Sequence, residues 1–215
     1  MGVLGGYLVS VPDVCGAGQE AFMTSALLDA GLAELQDRWT FSSIPTGVLS
    51  TSRSASLTHI QRKQVPLKRA MTAILEVLDS WSSSLTQFVM LLNMDNTHWI
   101  SAAVSLLSGS VTVYSSLGWG RCAAKDPIVD GLLLFMRQAE LRWRVSRPDR
   151  SVGGIEWTVD QVISPRQEDS NNCRLFAFTY IWCTIHRQDW TSVVLVGDQL
   201  ILSIIYFLLM CGRSR

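Results

Sequence analysis

The chain has 215 residues, of which 48% are hydrophobic and 17% charged, and its 18 Lys plus Arg balance its 18 Asp plus Glu. This length supports one sizeable core and the composition is globular. Zero net charge supplies no global field to recruit nucleic acid or an anionic membrane, so neither is expected as a partner. Five cysteines (Cys15, Cys122, Cys173, Cys183 and Cys211) form no C-x-x-C pair. Their odd number and wide spacing argue against a disulfide framework and against a zinc site, and they suit a reducing compartment. No metal and no cofactor are called for.

Taken from the start, residues 1–18 hold several glycines and a Pro-Asp turn and read as a loosely ordered lead or an edge strand. Val3 to Val11 lacks a preceding positive region and makes a poor signal peptide. Gly6 stands where a myristoylation motif wants Ser or Thr. Gln19 to Gln36 has Phe22, Met23, Ala26, Leu27, Leu32 and Leu35 near helical spacing and predicts a helix, weakened slightly by Gly31. Trp39 to Ser56, rich in Ser, Thr, Pro and Gly, reads as loop. From Thr51 to Arg69 the chain carries Arg53, Arg62, Lys63, Lys68 and Arg69 with no acid. Such a run is a solvated face or a patch for a partner. Pro66 opens a second predicted helix, Leu67 to Trp81, with Met71, Ile74, Leu75 and Leu78 as its apolar stripe.

Three strand-like runs follow, Gln87 to Asn93, Trp99 to Leu107 and Ser110 to Tyr114. Asp95-Asn96-Thr97 and Ser108-Gly109 part them, as turns part hairpin strands. Asp126 or Pro127 starts an amphipathic helix to about Leu141, with Ile128, Val129, Leu132, Leu133 and Met136 inward. Trp157 to Ile163 is a further strand, and a helix running to about His186 begins near Cys173. Leu200 to Cys211 is almost wholly apolar, but a membrane span takes about 20 such residues. Extended backwards, the run meets Asp198 and Gly197, so it reads as a buried helix.

The chemistry gathers around Cys173. Asn171 or Asn172 is placed to cap the helix there, putting Cys173 in a first turn whose free N–H groups and dipole favour a thiolate. A lone cysteine is ordinarily a small buried hydrophobe. This one has company: His98, paired with Trp99, is a candidate base, and Gln167, six residues before Cys173, a candidate oxyanion donor. His186, at the end of the same helix, suits the negative pole of the dipole, and His59 lies in the basic loop without partner spacing.

The arrangement resembles the Ulp1-type cysteine proteases, which cleave SUMO and related ubiquitin-like proteins. His98-Trp99 matches the family's His-Trp pair. Ser115-Ser116-Leu117 occupies its Asp-Ser-Leu slot seventeen residues after the histidine, and Gln167, Cys173 and Phe176 fall at the family's spacings. The resemblance covers about Gln87 to Met210. It implies an α+β papain-like fold of the Ulp1 and adenoviral-protease type, with a central mixed sheet flanked by helices. Residues 81–215 would be the catalytic core and residues 1–80 a helical and loop portion, one domain overall. It further implies a thiol peptidase whose partner is a ubiquitin-like protein or its conjugate, in the nucleus or cytoplasm. Cys173 would be the nucleophile, His98 the base, Gln167 the oxyanion donor and Ser115 the residue in the acid position. Trp99 would line the channel for the substrate's tail. Two positions depart from the pattern: Ser115 replaces the acid and Arg174 the glycine after the cysteine. The upstream Trp-Leu-x-Asp signature is not evident. In serine proteases, exchange of the acid for an amide costs about four powers of ten, so impaired catalysis is expected. The alternatives are an inactive relative that binds a ubiquitin-like protein, or a mobile-element relic.

Overall fold

A computed structural model of the chain describes residues 2–4, 7–9, 25–39, 46–52, 54–55, 72, 85–94, 97–118, 127–146, 156–161, 166–167 and 172–188. Their elements in chain order are β1 (Gly2–Leu4), β2 (Tyr7–Val9), α1 (Ser25–Trp39), β3 (Thr46–Leu49), β4 (Gln87–Met94), β5 (His98–Ser105), β6 (Ser110–Tyr114), α2 (Pro127–Ser146), β7 (Thr158–Gln161) and α3 (Cys173–His186). Strands β1 and β2 form a small antiparallel hairpin. The other five make one mixed sheet in the order β3-β4-β5-β6-β7, its inner three strands antiparallel and each edge strand parallel to its neighbour.

Helices cover both faces of the sheet, and the sequence of β4 shows why. Successive side chains of a strand alternate faces, yet Phe88 to Leu92 is apolar without a break, as a strand buried on both sides must be. Phe88, Met90 and Leu92 join Ile100, Ala102, Val104, Val111 and Val113 in a core closed by Leu132, Phe135, Met136 and Ala139 of α2. Val89, Leu91 and Trp99 turn the other way, into a core with Leu27, Leu28, Leu32 and Leu35 of α1 and with Cys173, Phe178 and Ile181 of α3.

Pro127, with no N–H to satisfy, sits at the first position of α2. That helix runs five residues past the predicted Leu141, and Phe135, absent from the predicted stripe, is among its innermost residues. Helix α3 is apolar nearly all round and buried nearly all round. It ends on Arg187 in the left-handed conformation (φ 54°), where the Gln188 N–H donates to the Cys183 carbonyl at 2.9 Å.

One predicted loop is a strand. Thr46–Leu49, within the stretch Trp39 to Ser56, pairs in parallel with Gln87 to Met90 as β3. The Gln87 side chain donates to Thr46 Oγ1 at 2.6 Å, and the Val48 N–H donates to Gln36 Oε1 of α1 at 2.7 Å. Four residues, Thr-Gly-Val-Leu, carry too little periodicity to announce a strand, and tertiary pairing decides it. The predicted helices Leu67 to Trp81 (Thr72 apart) and Leu200 to Cys211 lie outside the described residues. Among those described, no helix is long and apolar enough to cross a membrane.

Candidate active site

The candidate residues come from four places in the chain; His98, Ser115 and Gln167 gather at one end of the sheet, and Cys173 lies in the core that holds Trp99. His98 is the first residue of β5, Ser115 follows the last residue of β6, Gln167 belongs to the connection after β7, and Cys173 opens α3. The antiparallel pairing of β5 with β6, Ser101 opposite Tyr114, delivers the start of one strand beside the end of the other. There His98 Nε2 and Ser115 Oγ are 3.0 Å apart, with Ser115 only 4% exposed and His98 half-buried. Burial pushes the His98 pKa below its usual 6.5, because the imidazolium loses more hydration than the neutral ring.

A tight turn follows β6. The Gly118 N–H donates to the Ser115 carbonyl at 3.0 Å, and Gly118 has φ +71°, a conformation that glycine adopts without steric cost. Gln167 is fastened to this turn twice. Its backbone N–H donates to the Ser116 carbonyl at 3.0 Å, and its side-chain Oε1 accepts from the Ser116 hydroxyl at 2.6 Å. Both residues are buried, Ser116 at 1% and Gln167 at 8% exposure.

Cys173 lies in the first turn of α3, 2% exposed, in the same core as Trp99. The predicted N-cap position is occupied by Asn172, but its side chain makes no capping hydrogen bond. Its carbonyl accepts from the Phe176 N–H at 3.1 Å. Arg174 lays its guanidinium over the Trp99 ring, 5.4 Å from the centroid, a cation–π arrangement. Burial lowers the Arg174 pKa, and the neighbouring Cys173 opposes that shift because thiolate charge favours guanidinium. The Trp99 indole N–H has no hydrogen-bond partner among the described residues.

The helix is held in place from its middle. Tyr180 stacks on Tyr114 with centroids 4.6 Å apart and planes 6° from parallel, and Phe176 joins the pair. Burial pushes the Tyr180 phenol up to about 12, opposed by its hydrogen bond with Thr184, so the stack stays uncharged. Because Tyr114 immediately precedes Ser115, this contact ties α3 to the strand end that meets His98. At the other end, His186 stacks on Trp182 (4.3 Å), its Nδ1 2.9 Å from the Trp182 carbonyl.

The structure therefore joins His98 to Ser115, Gln167 to the residue after Ser115, and Cys173 to the packing around Trp99. Ser116 enters the sequence reading only as the middle residue of the Ser115-Ser116-Leu117 slot, with no role of its own. The signal was the second of two consecutive serines at a strand end, where a buried hydroxyl needs a partner. Among the described residues, no group of three or more His, Cys, Asp or Glu could hold a metal ion.

The model of the "Ulp1 protease family, C-terminal catalytic domain" matches residues 67–200, more than half of the chain. No curated protein sequence matches. Among solved structures, the SUMO protease Ulp1 with its catalytic cysteine oxidised to a sulfinic acid superposes with a TM-score of 0.71 at 11% identity, covering 95% of this chain and 84% of that one. The C-terminal Ulp1 protease domain in complex with Smt3, the yeast ortholog of SUMO, gives 0.68 at 10% identity over 95% and 84%. The Ulp1-like SUMO protease catalytic domain of Chaetomium thermophilum gives 0.60 at 12% identity over 91% and 72%. Likeness at such low identity establishes the α+β papain-like fold of this type.

Proposed function

Because the chain belongs to the Ulp1 protease family, we propose that it is a cysteine-type peptidase opening a peptide or isopeptide bond at the C-terminus of a ubiquitin-like protein. The observation that carries this reading is the rim where His98, hydrogen-bonded to Ser115, adjoins Trp99, which is packed with Cys173. In this reading Cys173 attacks the scissile carbonyl and His98 takes the thiol proton, later giving it to the leaving amine. Since Ser115 engages Nε2, Nδ1 is the ring nitrogen that serves the thiol. Gln167 donates an N–H to the developing oxyanion, and Trp99 flanks the substrate's tail. Burial lowers the His98 pKa, which favours the neutral ring that a base must offer. The complex of the Ulp1 domain with Smt3 supports SUMO as the first partner to try.

A second reading, a non-catalytic binder of a ubiquitin-like protein, is favoured by Arg174 lying across Trp99 where the family pattern has glycine. A SUMO carrying a C-terminal electrophile separates the two. The peptidase reading expects an adduct on Cys173 that is lost in Cys173→Ala. No adduct with a panel of such ubiquitin-like probes, together with calorimetric binding of the same proteins, would leave the binder. Neither adduct nor binding would overturn both.

A further inference from the structure

The two serines that follow β6 each hold a different member of the site. Ser115 meets the imidazole of His98, and Ser116 meets the carboxamide of Gln167. The second contact resolves an ambiguity that the glutamine cannot resolve for itself. A carboxamide has an acceptor end and a donor end of nearly equal shape, and only the N–H end can serve an oxyanion. The Ser116 hydroxyl donates to Oε1 at 2.6 Å while the Ser116 carbonyl accepts from the Gln167 backbone N–H at 3.0 Å. The side chain is thus held at both its root and its tip by one residue. A carboxamide turned over about its last bond would face its N–H group to the same hydroxyl. The hydroxyl would then have to accept, its own proton would lose in a buried place the acceptor it now has, and the carbonyl oxygen would stand where the donor belongs. Burial of both residues removes the water that would otherwise make either orientation equally comfortable.

We propose that Ser116 is a positioning residue: through its hydroxyl bond it fixes which end of the Gln167 carboxamide is presented as donor. The inference rests on the peptidase reading for its effect on turnover, but not for its effect on the side chain. The test uses the full chain as wild type, Ser116→Ala, Gln167→Ala and the double variant, with a SUMO bearing a C-terminal aminomethylcoumarin as substrate. Loss of an oxyanion donor costs about two to three powers of ten in kcat. Ser116→Ala is expected to lower kcat about ten-fold with KM unchanged, because a misoriented donor still populates the useful orientation part of the time. The double variant is expected to be no slower than Gln167→Ala, since a residue acting through another adds nothing once that other is gone. Additive losses would overturn the proposal, as would an unchanged kcat in Ser116→Ala. Heteronuclear NMR of the Gln167 side-chain N–H₂ group gives the arm that needs no turnover. Its two protons are expected to exchange slowly with solvent in the wild type and faster in Ser116→Ala. Identical spectra would sink the positioning role. A wild type with altered-on-mutation spectra but no hydrolysis would sink the peptidase reading and leave the Ser116 contact standing.

Discussion

His98 Nε2 and Ser115 Oγ lie 3.0 Å apart, and the partner of the imidazole is therefore a hydroxyl. A carboxylate can only accept, so it fixes the proton on the ring nitrogen facing it and stabilises the imidazolium. A hydroxyl both donates and accepts, so it holds the ring's orientation without dictating the tautomer. Ser115→Asp is accordingly expected to raise kcat/KM by roughly ten- to a hundred-fold, less than the full triad effect because a thiol needs less help from its base. The acid limb of the pH profile should move up with it, as a nearby negative charge opposes the desolvation that now lowers the His98 pKa. Hydrolysis of the coumarin substrate across pH checks both. An unchanged rate would show that Ser115 does not occupy the acid position.

The lowered His98 pKa also has a consequence for stability. Burial favours the neutral ring, so the unfolded chain binds a proton more readily than the folded one below the usual 6.5. The contribution of His98 is fully present above that value and is lost as pH falls towards the folded-state pKa. His98→Gln, which is neutral throughout, should unfold at a less pH-dependent temperature than the wild type between about pH 7 and pH 5. Thermal unfolding followed by circular dichroism at a series of pH values measures this. Parallel curves for the two proteins would contradict it.

A third expectation concerns how α1 is tied to the segment after β3. Asp29, buried on α1, accepts from the Thr51 backbone N–H at 2.7 Å and from Thr51 Oγ1 at 2.8 Å. Asp29→Ala strands both donors away from water. Hydrogen bonds to a charged acceptor and buried unsatisfied donors together put the loss at about 3 kcal/mol. Urea unfolding reads it as a lowered midpoint with an unchanged slope. A loss below about 1 kcal/mol would mean that water replaces the carboxylate.

What the sequence discloses depends on how local the cause is. The strand Ser110 to Tyr114 and the helix from Cys173 to His186 coincide with their predicted ends, because a Ser-Gly turn precedes one and the other is a long, largely apolar run. Strand β3 escaped notice since its reason lies in Gln87 to Met90, some forty residues away. The same division runs through the candidate site. Cys173, His98 and Gln167 stand out by residue type and spacing, and Ser115 by the slot it fills. Ser116 lies in the same slot, but its role there depends on the acceptor that it finds fifty-one residues further on. Asn172 shows the reverse case, the right residue at the right position without the capping bond.

Gly118 links the backbone to the site most directly, and a pair of substitutions there separates conformation from bulk. The turn from Ser115 to Gly118 carries both hydroxyls, and the chain leaves it through Gly118 at φ +71°. An alanine there meets the left-handed penalty of about 1–2 kcal/mol. Its Cβ would also stand 3.4 Å from Arg166 Nε, a contact that the flexible, exposed arginine can relieve by moving. The backbone penalty should therefore dominate. Asparagine brings more bulk than alanine, yet it tolerates the left-handed region better. Gly118→Ala is expected to lower stability by about 1–2 kcal/mol and to slow turnover by loosening Ser115 and Ser116. Gly118→Asn should recover much of both. Were the asparagine variant the worse of the two in urea unfolding and in kcat, crowding against Arg166 would be the cause and the turn's conformation would not.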